Sequence, residues 1–341
     1  MNSFSSSIVK KLRWLSTVNK EVWGFLTIVC FVCTLIGFGN KEIANIKIGL
    51  INEIYETTVS FFPKAEKIFP PYRFLFAFAT IVFLILWVYK RKYYLLSIRS
   101  LAPDLGEIEL GETKKGCLVL PKKIDVSVEM ENNQITQAVS IIDQELNEIK
   151  RKRGDSLLGF YGIAHTPLLF RIGYLIGDQS NVSVFHKTRS NDSKFTEWSK
   201  DKGPFTIETP KEYNPGVDSK DLIVSISTTF EIKYEELTDL KPQDKHVLMF
   251  TANNLGFDVV QSNLDATIAR DMIYRNIRDI VKKYDIEKIH FAISSSAAFT
   301  FFLGMGYSKQ HDPDCIVYHY QRPHYPWGIT IRKGRLVKTN G

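Results

Sequence analysis

Two long stretches without charged residues stand out in the first hundred positions of the chain. Residues 22–40 are 19 consecutive uncharged residues rich in Phe, Leu, Ile and Val, and residues 74–89 are another 16. At about 1.5 Å per residue, the first stretch nearly spans a hydrocarbon core of about 30 Å. The second approaches that length once the apolar residues before it are added. The pattern predicts transmembrane helices over residues 22–40 and 72–89, with a buried core helix as the alternative for the second.

Lysine and arginine cluster on the outer flanks of these two segments. In the connecting residues 41–71 the lysines are spread out and balanced by glutamates. Basic residues favour the cytoplasmic side of a membrane, so we expect a cytoplasmic N-terminal segment (residues 1–21), an extracytoplasmic loop (residues 41–71) and a cytoplasmic C-terminus. Residues 90–115 read as a linker. The flanking basic residues are Lys10, Lys11, Arg13, Lys20, Lys90, Arg91, Lys92 and Arg99.

The formal net charge of +7 belongs to the membrane end. Residues 1–100 hold 13 Lys and Arg against 5 Asp and Glu, whereas residues 101–341 hold 31 against 32. A neutral globular part argues against binding of long DNA or RNA, because phosphate neutralisation supplies much of that affinity. A small anionic ligand needs only a few local charges or helix N-termini. The four cysteines imply no disulfide framework, and two of them, Cys30 and Cys33, lie in the first apolar segment.

The cytoplasmic part contains a weak internal repeat. Phe160 and Gly173 are 13 positions apart, as are Phe291 and Gly304. Each segment reads as a strand, a small polar turn and an apolar helix, and an apolar strand ending in an aromatic residue and histidine follows. This order is typical of the βαβ units of an open parallel sheet. We therefore expect an α/β domain over residues 116–341, with halves at about 116–215 and 216–341.

Further apolar runs complete the two predicted halves. Residues 222–227 and 247–251 read as strands, and residues 134–152 and 266–284 as amphipathic helices. The predicted buried stripe of the first helix is Ile135, Val139, Ile142, Leu146 and Ile149. The predicted stripe of the second is Ile268, Met272, Ile273, Ile277, Ile280 and Val281.

The strand-to-helix turns of the two repeats are the first candidates for a binding site. Ligands of open α/β sheets lie at the carboxyl ends of the strands, where free N–H groups of helix N-termini attract anions. The first turn holds His165 and Thr166, with Thr166 suited to an N-cap and Pro167 to the first helical position. The second is the run Ser294, Ser295 and Ser296. Two such turns related by a pseudo-two-fold axis would flank one pocket. The alternative is that these side chains only cap their helices.

Other polar and aromatic residues near predicted strand ends extend this set. His186, Lys187 and Arg189 follow a first-half strand and could meet phosphates, or be ordinary loop charges. Trp198 lies in a polar stretch and could stack on a base, or pack in its loop. Near the C-terminus we expect one residue of an aromatic cluster to touch a base while the others pack. The remaining candidates are Ser227, Thr228, His319, Tyr320, Tyr325 and Trp327.

Residues 160–186, 222–228, 288–307 and 316–327 together resemble the SAVED domain, a sensor of nucleotide second messengers. The resemblance covers residues 116–331 and rests on the order and spacing of loose motifs. It implies two fused Rossmann-like subdomains of the type known as CARF, which agrees with the internal repeat. With two transmembrane helices in front, the chain is similar to the transmembrane SAVED effectors of cyclic-oligonucleotide-based antiphage signalling, or CBASS.

The resemblance implies a ligand, partners and a location. The ligand would be a cyclic di- or, more typically, trinucleotide made by a nucleotidyltransferase of the CD-NTase type. Ligand-bound copies would assemble into a homo-oligomer and disrupt the bacterial inner membrane, with no enzyme activity, cofactor or metal. Two alternatives remain: a membrane-tethered ring nuclease using His165, Lys187 and the serine turn, and a passive module that recruits a partner to the membrane.

Overall fold

The computed structural model describes residues 78–81, 92–101, 105–111, 114, 117–179, 181–187 and 194–339. The N-terminal segment, the extracytoplasmic loop, the first predicted transmembrane helix and Arg189 lie outside these residues. So does the second predicted transmembrane helix, apart from residues 78–81, which are helical. Within the described residues, no helix combines the length and the apolarity needed to cross a membrane.

Residues 93–110 and 120–341 form one compact unit whose first half is built on a five-stranded sheet. Its strand order is β2-β1-β3-β4-β5. β1 is parallel to β3, β3 is parallel to β4, and β5 is antiparallel to β4. The elements of this half are β1 (Lys92–Arg99), β2 (Leu118–Asp125), α1 (Ser127–Glu131), α2 (Ile135–Arg153), β3 (Leu157–Ile163), α3 (Thr166–Ile176), β4 (Val182–Lys187) and β5 (Phe195–Glu197).

The second half is built on a seven-stranded sheet with the order β12-β11-β10-β9-β7-β8-β6. Its four central strands are parallel, and antiparallel strands lie at both edges. The elements are β6 (Lys211–Tyr213), β7 (Asp221–Ser227), two 3₁₀ helices (Tyr234–Leu240 and Pro242–Asp244), β8 (His246–Thr251), α4 (Asn263–Tyr284), β9 (Lys288–Ser294), α5 (Ala297–Gly306), β10 (Asp314–Gln321), β11 (His324–Thr330) and β12 (Leu336–Lys338). The predicted α/β fold with two sheets is confirmed. The sheets are mixed, not mostly parallel as predicted, because three of the six strand pairs in the second sheet and the β4–β5 pair in the first are antiparallel.

Helices α3 and α5 pack against each other and join the two halves. Helix α5 also contacts β3 and β4 of the first sheet, and α3 contacts β10 and β11 of the second. The ring of Phe160 in β3 stacks on that of Phe301 in α5 with 3.6 Å between centroids, and Phe170 in α3 lies 5.4 Å from Phe291 in β9. Each repeat therefore packs its phenylalanines against those of the other, so the two halves share one apolar core.

Residues 90–115, expected to be a linker, contain a strand of the first sheet. β1 reads KYYLLSIR, and its six central residues are buried. A strand buried on both faces shows a continuous apolar run instead of alternation. Here that run directly follows a predicted membrane span, so it looked like part of the membrane flank. The first half of the domain thus begins near residue 92.

The two long amphipathic helices differ in how well their buried faces were predicted. All five residues of the predicted stripe on α2 are buried. On α4, Ile268 is 51 % exposed, and Met272 and Val281 are only half-buried. The helix is rotated relative to the prediction because small residues, Ala266 and Ala269, and the ion-paired Arg270 face the core beside Ile273, Tyr274, Ile277 and Ile280.

Candidate functional site

A cavity of about 470 Å³ opens at the carboxyl ends of β3, β7 and β9. This volume lies within the range of about 300–1,000 Å³ that is usual for small-molecule sites. Both predicted strand-to-helix turns line it, and the hairpin between β10 and β11 closes another side. Its lining residues are Leu101, Ala164, His165, Thr166, Thr229, Phe230, Glu231, Ile232, Glu236, Phe257, Ile293, Ser294, Ser295, His319, Tyr320, Arg322 and Tyr325.

The first turn is fixed by a serine that follows β1. The Ser100 hydroxyl lies 2.7 Å from Nδ1 of His165 and accepts the backbone N–H of the same histidine at 2.9 Å. Helix α3 begins at Thr166, and His165 stands in the N-cap position without a side-chain cap. The N-cap predicted for Thr166 is therefore wrong by one residue. Pro167 has no N–H, and the N–H groups of Leu168 and Leu169 donate to the His165 carbonyl. Within the described residues, the Thr166 N–H at the cavity wall is therefore the one in this first turn that is left for another acceptor.

The second turn uses its three serines in three ways. The Ser294 carbonyl accepts N–H groups from Thr228 and Thr229, at 2.8 and 3.0 Å, which ties the end of β7 to the end of β9. Ser295 Oγ accepts the Thr228 hydroxyl at 2.8 Å. Ser296 Oγ accepts the N–H of Phe299 and caps α5, as predicted. Ser294 and Ser295 remain at the cavity wall.

His165 of the first turn pairs with His319 of β10 at the cavity wall. The rings of His165 and His319 are 4.7 Å apart between centroids, and Trp327 lies 5.8 Å from the first and 4.9 Å from the second. Burial lowers the pKa of His165 to about 4, assisted by the nearby His319, and burial lowers the pKa of His319 to about 4. Both imidazoles are therefore neutral near pH 7, where each can donate one hydrogen bond and accept one.

Two tyrosines and a carboxylate form another part of the wall. Tyr320 donates its hydroxyl to Glu236 Oε1 at 3.1 Å, and its ring is 5.1 Å from that of Tyr325. The N–H of Tyr325 donates to Asp239 at 2.7 Å. Tyr320 is half-buried and Tyr325 is buried, so Tyr320 is the more accessible ring of the pair.

Several predicted contact residues lie away from this cavity. Trp198 is 4 % exposed and packs edge-on against Phe302 in the core. His186 is also buried. Lys187 donates to the Leu105 carbonyl at 3.3 Å. The structure does not bring these three side chains to the cavity. The buried Thr228 and Ser227 support it from behind, and Ser227 Oγ accepts the Ile232 N–H.

Residues that the sequence analysis missed complete the lining. They lie at or beyond strand ends, as the predicted residues do, but their exposure depends on tertiary packing that no local pattern reports. Two of them, Glu231 and Glu236, are carboxylates, and Arg322 is the single arginine or lysine among the lining residues. The missed residues are Leu101, Thr229, Phe230, Glu231, Ile232, Glu236, Phe257, Ile293 and Arg322.

The lining of the cavity offers both polar and aromatic groups for contact with a ligand. Hydroxyls, helix N-termini and neutral imidazoles suit phosphate oxygens, and exposed aromatic rings suit bases. Among the described residues, no group of three or more His, Cys, Asp or Glu side chains is arranged to hold a metal ion.

Solved structures of receptors from two bacteria are similar to this chain. The chain is 11 % identical to the Acinetobacter baumannii Cap4 SAVED/CARF-domain containing receptor with the cyclic trinucleotide 3′3′3′-cAAA, covering 81 % of this chain and 64 % of that one with a TM-score of 0.47. For the same receptor with 2′3′3′-cAAA the sequence identity is 12 %, and the match covers 84 % of this chain and 65 % of that one with a TM-score of 0.46. The chain is 12 % identical to the Moraxella osloensis Cap4 SAVED/CARF-domain containing receptor. That match covers 88 % of this chain and 65 % of that one with a TM-score of 0.41. The chain thus spans just under two thirds of the length of these receptors.

No curated protein matches the chain. A family model does match it: the SMODS-associated and fused to various effectors sensor domain, abbreviated SAVED, over residues 142–331. The matched region extends from within α2 to just beyond β11 and includes both strand-to-helix turns. The chain belongs to the SAVED family.

Proposed function

We propose that the chain is a receptor for a cyclic oligonucleotide, most suitably a cyclic trinucleotide, which binds in the cavity described above. One observation carries this proposal: two turns from sequence-related halves line the same cavity. A cyclic oligonucleotide repeats one phosphate–sugar–base unit around a ring. A pseudo-symmetric wall can therefore meet two of these units with equivalent groups.

Each of the two turns contributes groups that can bind phosphate. Thr166 at the start of α3, and Ser294 and Ser295 before α5, place hydroxyls and helix N-termini at the wall. Helix N-termini carry partial positive charge and suit anions without a lysine or arginine. This accounts for how a cavity with one guanidinium can take a polyanion.

We further propose that ligand binding drives assembly of copies of this chain and that the two N-terminal apolar segments then disrupt the bacterial inner membrane. Assembly raises the local concentration of these segments, so weak lateral contacts become effective. The source of the ligand would be a CD-NTase-type nucleotidyltransferase activated by phage infection, and the outcome would be growth arrest of the infected cell. The chain itself would not be an enzyme.

Thermal unfolding of the full-length chain in detergent tests the binding step. A ligand that binds only the folded state raises the melting temperature by mass action. The panel contains cyclic di- and trinucleotides, including 3′3′3′-cAAA and 2′3′3′-cAAA. We expect one compound to raise the melting temperature by several degrees. We expect the Ser295→Asp variant to lose that shift, because its carboxylate repels phosphate, and the exposed Thr209→Asp control to keep it. No shift with any compound would contradict the proposal.

Dye release from vesicles of bacterial lipids tests the effector step. We expect release only when the ligand and the wild-type chain are both present, and none with Ser295→Asp. Binding without release would instead favour recruitment of a partner. Recovery of the nucleotide in linear form would favour the ring-nuclease alternative.

A further inference from the structure

Two exposed phenylalanines stand at the rim of the cavity. Phe230 is 62 % exposed and Phe257 is 37 % exposed. Their ring centroids are 5.1 Å apart and their planes are nearly perpendicular, at 88°. Exposed aromatic surface at the mouth of a cavity is typical of a binding site. In a perpendicular pair, a planar ligand that stacks on one ring meets the other ring edge-on.

The backbone holds this pair in position. The N–H of Phe230 donates to Ser294 Oγ at 3.0 Å, and the N–H of Gly256, next to Phe257, donates to the Thr228 carbonyl at 2.9 Å. The acceptors lie at the carboxyl ends of β9 and β7, which are hydrogen-bonded to each other at the serine turn. The rings are therefore pre-organised relative to the groups that would hold phosphate, which lowers the ordering cost of binding.

The lining of the cavity carries two carboxylates, Glu231 and Glu236. Carboxylates repel phosphates, so Glu231 and Glu236 disfavour phosphates beside them. The oxygens of Glu236 already accept hydrogen bonds from Tyr320 and from the N–H of Lys233. Glu231 is exposed, and no hydrogen bond or ion pair joins it to the other described residues. Its carboxylate is available to a donor on the ligand.

We infer that Phe230 stacks on one base of the bound nucleotide and that Glu231 accepts a hydrogen bond from the exocyclic amino group of that base. This inference rests on the function proposed above and adds the two residues that recognise a base. A carboxylate accepts from the amino groups of adenine, cytosine and guanine, whereas uracil offers a carbonyl oxygen at the equivalent position. The site therefore prefers an amino-bearing base to uracil at one position of the ring.

Dissociation constants of the full-length chain in detergent for cyclic triadenylate, tricytidylate and triuridylate of one linkage test the stacking role. Loss of stacking in Phe230→Ala should weaken binding of the preferred compound about 5- to 150-fold. Phe230→Leu should stay weak because it lacks a π face, and Phe230→Trp should restore binding. The matched control is Ile268→Ala, an exposed apolar residue on α4 that does not line the cavity, and it should bind as the wild type does.

The base-reading role is tested by Glu231→Gln. Glutamine offers both a donor and an acceptor, so we expect the ratio of the triuridylate and triadenylate dissociation constants to fall at least about tenfold, as for loss of a charge-assisted hydrogen bond. The neighbouring exposed Glu235→Gln, outside the lining, should leave that ratio unchanged. Wild-type affinity in every Phe230 variant, or an unchanged ratio in Glu231→Gln, would overturn the inference alone. Failure of the wild type to bind any cyclic oligonucleotide would overturn the proposed function and this inference with it.

Discussion

Gly173 in α3 lies directly against Phe301 in α5. A Cβ atom added to Gly173 would be 2.0 Å from the Phe301 carbonyl oxygen, and one added to Gly304 would be 2.1 Å from the Phe170 carbonyl oxygen. The contact is reciprocal: each glycine of the sequence repeat meets the carbonyl of the phenylalanine three positions before the other glycine. The equal Phe–Gly spacing of the two repeats therefore corresponds to a pseudo-two-fold crossing of α3 and α5 in which the two helix backbones are in direct contact.

We predict that Gly173→Ala and Gly304→Ala destabilise the domain to similar extents. Alanine favours a helix by up to about 1 kcal/mol over glycine, but a Cβ atom at these sites must push two helices apart, and overpacking typically costs about 1–3 kcal/mol. We expect a net fall in melting temperature of several degrees for each variant. Gly216→Ala is the control, since no atom lies within 4 Å of its added Cβ. Equal melting temperatures for all three variants would contradict the close crossing.

Arg171 provides a second test of the shared core. It is 4 % exposed, binds both oxygens of Asp143 at 2.9 and 2.5 Å, and donates to the Ile331 carbonyl. It therefore connects α3 to α2 and to the C-terminal segment. We expect Arg171→Met to lower the free energy of unfolding by about 2–3 kcal/mol, less than for a fully buried pair because Asp143 is partly exposed.

Lysine at position 171 should not restore this stability, since it lacks the planar fork that binds a carboxylate through two nitrogens. The control is Arg332→Met. Its pair with Asp314 is exposed on both sides, so we expect a change of about 1 kcal/mol or less. Denaturant unfolding at neutral pH measures all three variants. A loss for Arg171→Met no larger than that of the control would count against a structural role.

The histidine pair predicts a pH dependence of stability. Each folded-state pKa is about 4, below the ordinary 6.5. Between pH 6.5 and 4 the unfolded chain binds more protons, so stability falls as the pH falls through this window and these two groups add no further loss below it. With about 1.4 kcal/mol per pKa unit, the loss should reach a few kcal/mol. Unfolding measured from pH 7 to 4 should show a flatter profile for the His165→Gln, His319→Gln double variant than for the wild type.

A buried hydrogen-bond chain in the second sheet gives a further test. His290, 7 % exposed, lies between the Tyr318 hydroxyl at 2.9 Å and the Asp221 carboxylate at 3.0 Å, and that bond lowers the pKa of Asp221. Tyr318→Phe leaves one ring nitrogen of the histidine without its partner, so we expect a loss of about 1–2 kcal/mol. Tyr213→Phe, on an exposed edge strand, should cost much less by the same unfolding assay.

Sequence reasoning succeeded where the signal was local or repeated. The paired Phe–Gly spacing predicted both βαβ units and the two turns that line the cavity. Two of the three serines and the first-half pair His165 and Thr166 lie where strand ends were expected to converge. A parallel strand followed by a helix dictates this placement whatever the surroundings.

It failed where burial depends on partners far away in the chain. Trp198 follows a polar stretch, but it is buried in the apolar core and packs against Phe302, which is distant in the sequence. Phe230 was missed for the opposite reason. It is exposed, but the sequence of an apolar residue after a buried strand does not indicate exposure. β1 was not recognised because its apolar run follows a predicted membrane segment that is also apolar. In each case the deciding contact is non-local.

The glycine-mediated crossing of α3 and α5 has a mechanical consequence. Because α3 and α5 touch through their backbones, we expect the two halves to move little relative to each other and the sensor to accept its ligand without closing around it. The free energy of binding would then not be spent on closing a cleft. We then expect binding to change mainly the surface around the cavity, where the bound ligand itself would be exposed. A molecule that binds this surface could then distinguish the ligand-bound sensor from the free one by direct contact.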